Sequence, residues 1–95
     1  MPKSKHDIIA ERTARRLKAE YNPTKGPDVV TEREVDEVEI DKNTLKEGMG
    51  QMRGYRQLKY IVVPTNLVKD AKDATKGTKI GVRDEHGRIR KSAKR

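Results

Sequence analysis

Seven carboxylates fall within the sixteen residues GPDVVTEREVDEVEID, positions 26 to 41 of a 95-residue chain whose formal net charge is +8. An acidic island in a basic chain is tolerable beside a phosphate backbone when a divalent cation lies between them, because the metal bridges carboxylate and phosphate oxygens. The competing reading is a solvated strand face with no metal. Other chemistries find fewer residues to work with. His6 and His86 are far apart in sequence and share no metal-ligand spacing, so both read as surface residues. No cysteine is present, which excludes a thiolate nucleophile, a thiolate metal site and a disulfide framework. No Ser-His-Asp set can be assembled. GMGQMRG, residues 48 to 54, lacks the Lys-Ser/Thr ending of a phosphate loop.

Charge is distributed by segment. Residues 1 to 26 hold seven Lys/Arg against three acids, residues 27 to 48 hold three against eight, and residues 49 to 95 hold thirteen against four. The basic ends attract a polyanion, at a strength that falls with salt, and the acidic middle repels it. With 32% hydrophobic residues and no Phe or Trp, the core of this one domain must be thin, which makes a partner subunit unsurprising. The longest apolar run, YIVVP at Tyr60 to Pro64, is far too short to cross a bilayer, and MPKSKHD does not begin a signal peptide. The expectation is a soluble, cytoplasmic protein with no membrane partner.

The elements that must position the acids follow from periodicity. Ser4 is a candidate N-cap, and Ala10, Ala14, Leu17 and Tyr21 recur on one helix face, with an end expected near Asn22-Pro23. The outer face presents Arg12, Arg15, Arg16 and Lys18, and Glu11 stands one turn before Arg15. DVV from Asp28 and VDEVEID from Val35 to Asp41 read as strands, in which Val38 and Ile40 face the core while Glu37, Glu39 and Asp41 face water or a metal. A glycine-containing helix follows from Asn43 or Thr44 to Lys59. Gly48, Gly50 and Gly54 weaken it, and Leu45, Met49, Met52 and Arg56 follow one stripe with Tyr55 at its edge. KYIVVP is a buried strand, TNLVKDAKDATKG a helix closed by Gly77, and TKIGVRDEHGRIRK a hairpin turning at Glu85-His86-Gly87. SAKR, residues 92 to 95, reads as a frayed basic tail beyond a domain covering residues 1 to 91. The order α, β, β, α, β, α, β, β argues for an α/β (α+β) fold with a small mixed central sheet flanked by helices.

Pro27-Asp28, a gap of ten residues and Glu39-Ile40-Asp41 together resemble the core motif of the PD-(D/E)XK nuclease superfamily, the restriction-endonuclease-like fold shared with archaeal Holliday-junction resolvases. Glu11 on a leading helix, and Gln51 with Tyr55 at a Q-x-x-x-Y spacing, add to the resemblance. It implies a homodimeric, Mg2+- or Mn2+-dependent DNA endonuclease that hydrolyses phosphodiester bonds, on branched or junction DNA by analogy. Asp28, Glu39 and the backbone carbonyl of Ile40 would then hold the metal, with Glu11, Asp41, Gln51 and Tyr55 lining the site. Arg12, Arg15, Arg16, Lys18, Arg53, Arg56, Arg88, Arg90 and Lys91 would hold phosphates.

The sequence departs from the family at Asp41, where members usually carry Lys. Asp41 would ligate a second metal, or Lys46 or Arg56 would reach in from the next helix, or catalysis is lost and nucleic-acid binding remains. The rival expectation is therefore a noncatalytic nucleic-acid-binding protein that uses its basic surface alone. With only three Tyr for stacking, contact with the phosphate backbone is its natural mode.

Overall fold

The computed structural model describes residues 3–23 and 26–95. Three helices and five strands succeed one another as α1 (Lys5–Arg16), β1 (Val29–Val30), β2 (Glu34–Val38), α2 (Leu45–Gln51), β3 (Leu58–Val63), α3 (Val68–Thr75), β4 (Gly81–Asp84) and β5 (Ile89–Lys91). Two single 3₁₀ turns, Lys42–Thr44 and Thr65–Leu67, lead into α2 and α3 and were not foreseen. The strands lie side by side in chain order, with β2, β3 and β4 parallel and the edge strands β1 and β5 antiparallel to their neighbours. Successive right-handed crossovers that advance in one direction place their helices on one face. α2 and α3 accordingly share a face, and α1 covers the other.

The core has two halves. On the α2/α3 face, Val35, Ile61, Val63 and Val82 of the sheet meet Leu45, Met52, Val68 and Ala71. On the α1 face, Val38 and Val62 meet Ile9 and Ala10, with Tyr21 packed at the margin. Each of the Val, Leu, Ile and Met side chains among these contributes roughly 1.5–3 kcal/mol on full burial. Among the described residues no helix is long and apolar enough to cross a membrane.

Several boundaries depart from the expected ones. α1 starts as foreseen, with the Ser4 hydroxyl accepting from Asp7 N–H at 3.1 Å, but it ends at Arg16. Lys18 adopts the left-handed conformation at φ 56°, and the N–H groups of Lys18 and Ala19 bond to the carbonyls of Arg15 and Ala14 at 3.2 and 2.8 Å. This is the helix stop that glycine usually supplies, formed here by a lysine. β2 ends at Val38, so Ile40 is 42% exposed and has no place in the core. α2 ends at Gln51, because Gly54 takes φ 90° and turns the chain toward β3. The last residues are not frayed: Lys94 N–H bonds to the Lys79 carbonyl at 2.8 Å, and Ala93 N–H reaches the Tyr60 hydroxyl at 3.5 Å.

Candidate functional site

β1 and β2 pair antiparallel with Val29 opposite Asp36, which carries Asp28 to the position facing Glu37. The two acids clasp each other reciprocally. The Asp28 N–H donates to Glu37 Oε1 at 3.0 Å, and Asp28 Oδ2 accepts from the Val38 N–H at 2.9 Å. Both residues are 7% exposed. Burial raises the Glu37 carboxyl to about 9, reinforced by the neighbouring Asp28 charge and side-chain hydrogen bond.

Glu39 follows one alternation later on the same face, lying against α2 at Gly48, where a Cβ would come within 2.6 Å of Glu39 Cγ. Its carboxyl is raised chiefly by burial, while the Thr44 hydroxyl and His6 pull the other way. The three acids therefore gather along the end of β2 nearest the start of α1.

α1 contributes His6 to this corner. Its Nε2 lies 3.2 Å from Asp28 Oδ2, and its Nδ1 lies 3.5 Å from Asp7 Oδ1. Asp7 accepts the Tyr21 hydroxyl at 2.9 Å, which lowers the Asp7 carboxyl. Burial, with Asp7 beside it, pushes the Tyr21 hydroxyl up to about 12. His6 is thus no bystander on the surface: it bridges two carboxylates of different elements. Its tie to Asp28 spans 22 residues, a separation that ligand-spacing rules do not search.

Other expected site residues fall elsewhere. The Asp41 carboxylate accepts the Asn43 N–H at 2.8 Å and caps the 3₁₀ turn, because the strand has already ended. Glu11 is drawn to Lys3 at 2.6 Å and not toward Asp28. Gln51 is exposed on the last turn of α2. Tyr55 lies beyond that helix, so the two do not form a helical i, i+4 pair. The Tyr55 hydroxyl stands 3.6 Å from where a Gly26 Cβ would lie, on the segment that leads into Asp28. Lys46 lines a cavity with Met49 and Ala74, and Arg56 is exposed. Neither meets the acids in any hydrogen bond or ion pair formed among the described residues.

Among the described residues no three histidine or carboxylate side chains already stand at a common metal-ligand point. The donor chemistry nonetheless fits a hard cation. Mg2+ is commonly held by one or two carboxylates, with waters and substrate oxygens completing its shell. A buried carboxyl pair that resists joint ionisation is the setting such a charge relieves.

The basic groups divide into free and engaged sets. Arg12, Arg15 and Arg16 line a shallow surface cavity of about 320 Å³ on α1. Arg16 also packs over Gly87 in the β4–β5 turn, so helix and turn form one basic surface that includes exposed Arg88. Arg90 is paired with Asp84 at 3.2 Å. The Lys91 ammonium is engaged within the fold, donating to the carbonyls of Thr75 at 2.6 Å and Ile80 at 2.9 Å, which satisfies the end of α3. Lys18 has its structural place in the stop of α1, with an exposed side chain.

A further buried acid was not anticipated. Asp36 is 0% exposed on the α1 face, and neither carboxyl oxygen has a hydrogen-bond partner among the described residues. Arg83 lies near it, with Nε 3.8 Å from Asp36 Oδ2, but that guanidinium is committed elsewhere. It grips Glu34 through Nε at 3.2 Å and Nη2 at 3.0 Å, bonds the Gly87 carbonyl at 2.7 Å, and stacks 4.6 Å from the Tyr60 ring centre. Burial, followed by the Glu34 carboxylate, raises Asp36 to about 9 despite the attraction of Arg83 and Arg16.

No family model, curated protein or solved structure matches the chain.

Proposed function

We propose that the protein is a divalent-metal-dependent DNA endonuclease whose cation is held by Asp28 and Glu37, with Glu39 beside them. The observation that carries this reading is the Asp28–Glu37 clasp, two nearly buried carboxyls on adjacent strands, joined at a corner of the molecule where α1 supplies a histidine. The motif read from sequence pairs Asp28 with Glu39 and the Ile40 carbonyl, assisted by Asp41; in this reading Glu37 becomes the first partner of Asp28 and Glu39 stands beside them. When bound, Mg2+ or Mn2+ supplies charge stabilisation to the attacked phosphate and acidifies a water. His6 orients the Asp28 carboxylate, and Gly48 leaves room for Glu39 against α2. Arg12, Arg15, Arg16 and Arg88 hold the phosphate backbone on the adjoining basic surface. Junction or branched DNA is the substrate to test first.

A specific observation favours the noncatalytic alternative: among the described residues no lysine or arginine forms an ion pair with Asp28, Glu37 or Glu39. Calorimetric titration with Mn2+, together with cleavage assays on branched, single-stranded and duplex DNA, separates the two readings. Asp28→Asn and Glu37→Gln retain an oxygen to accept the Val38 and Asp28 N–H groups, so they test charge and leave the clasp in place. The endonuclease reading expects Mn2+ affinity to fall at least about tenfold and cleavage to vanish in both variants, with DNA affinity kept. Undetectable cleavage by the unaltered protein, with Mn2+ binding indifferent to both substitutions, refutes it and leaves a DNA-binding protein.

A further inference from the structure

On the opposite flank of α2 from Glu39 lies a cavity of about 510 Å³, within the range of roughly 300–1,000 Å³ that small-molecule sites occupy. Its rim carries Lys46 of α2, Arg53 just beyond that helix, Lys59 of β3 and Lys79 ahead of β4. Among the described residues no aspartate or glutamate lines it. The ion pairs formed among the described residues use Lys3, His6, Arg83 and Arg90, none of them from this group. Lys59 has only a long 3.4 Å contact to the Gln57 carbonyl.

Four like charges around one concavity repel one another, and a compact anion entering it relieves all four. The remaining wall is apolar, formed by Met49, Ala74 and Ile80. The site therefore suits a ligand with an anionic end and a flat, weakly polar body. Arg53 adds a planar guanidinium able to stack on such a body. The one hydroxyl in the lining, Thr78 Oγ1, is already engaged, donating to the Thr75 carbonyl at 2.7 Å and accepting the Ile80 N–H at 3.1 Å. Among the described residues no unengaged side-chain hydroxyl or amide lines the cavity to read the edge of a base.

We propose that this cavity binds a nucleotide, phosphate on the Lys46, Arg53, Lys59 and Lys79 cations and base against Met49 and Ile80, without base preference. The nucleotide comes either free or as one unit of a DNA strand. The site needs nothing from Asp28 or Glu37 and stands whether or not the chain cleaves DNA.

Calorimetry on the full chain with dAMP, dTMP, adenosine and a six-residue oligothymidylate tests it. The unaltered protein should bind dAMP and dTMP within about threefold of each other and adenosine at least about tenfold more weakly, the loss of one or more charge-assisted contacts. If the strand is the natural source, the oligonucleotide binds and the free nucleotides do not. Two variants decide between a built site and general charge attraction. Arg53→Ala/Lys79→Ala removes two exposed cations, and Gly50→Leu adds an apolar side chain to the cavity wall at a position where its Cβ meets nothing within 4 Å. Both should lower affinity for whichever ligand binds at least about tenfold at an unchanged or higher melting temperature, whereas Asp28→Asn should leave it unaltered. Measurable adenosine binding as tight as that of dAMP, Gly50→Leu binding its ligand as tightly as the unaltered chain, or no ligand binding at all overturns the proposal.

Discussion

Replacing Asp36 by Asn should stabilise the protein at neutral pH. The side chain is 0% exposed, and its ordinary carboxyl value of 3.8 is raised to about 9 in the fold. At pH 7 the folded chain therefore holds a proton there that the unfolded chain releases. Each unit between 3.8 and 7 costs about 1.36 kcal/mol, for an upper bound of roughly 4 kcal/mol. Residual compactness of the unfolded chain and relaxation around Arg83 reduce this toward roughly 2 kcal/mol. The sign follows from proton uptake: between about 4 and 9 the native state binds more protons, so stability falls as pH rises through that window and is unaffected by this group below it. Asn keeps the shape of the side chain but has no proton to hold. Urea unfolding followed by circular dichroism from pH 4 to 9 should show Asp36→Asn about 2–4 kcal/mol more stable at pH 7, with a melting temperature higher by on the order of 10 °C and a flatter pH profile. Near pH 4 the two proteins should converge. If Asp36→Asn is instead less stable by 1 kcal/mol or more at pH 7, Asp36 is ionised and paired with Arg83 across the 3.8 Å gap, and the reasoning fails.

Two glycines of α2 should respond in opposite directions. Gly48→Ala drives a methyl to 2.6 Å from Glu39 Cγ and 3.0 Å from Ile61 Cδ1, and should cost roughly 1–3 kcal/mol in chemical unfolding. Gly50→Ala meets nothing within 4 Å and should gain roughly 0.5–1 kcal/mol from helix propensity in the same experiment. Lys18→Gly should also stabilise, by roughly 0.5–1 kcal/mol, since Lys18 occupies φ 56° at the end of α1, and a lower melting temperature would show that the lysine side chain does more there than bear strain.

The order of elements was legible because each carries a local signal. Ser4 caps α1, TNLV opens the segment of α3, the Glu85-His86-Gly87 turn closes the last hairpin, and YIVV is apolar enough to name β3 a buried strand. The alternation in VDEVEID was harder to interpret, because helices cover both faces of the sheet. Val35 is claimed by one half-core and Val38 by the other, so the pattern has no single inside. Asp36, an acid on the same alternation as Val38 and Ile40, is held under Arg83 and α1. The stop of α1 carried no glycine to announce it. His6 and Glu37 escaped the sequence reading for different reasons: the docking of α1 on the β1 edge brings His6 to Asp28, and the β1–β2 register brings Glu37 to it, whereas Asp28 itself and the face bearing Glu39 were visible in the strand pattern.

Every strand pairs with the one before it in the chain, and both parallel crossovers are short, passing through helices of seven and eight residues. Such a sheet requires few distant loop closures, so its assembly is limited mainly by local steps and should be quick for a structure containing parallel strands. It can also grow in one direction as the polypeptide is synthesised, each new βα segment adding to a rim already in place, the Asp28–Glu37 corner being closed in when β3 pairs along β2.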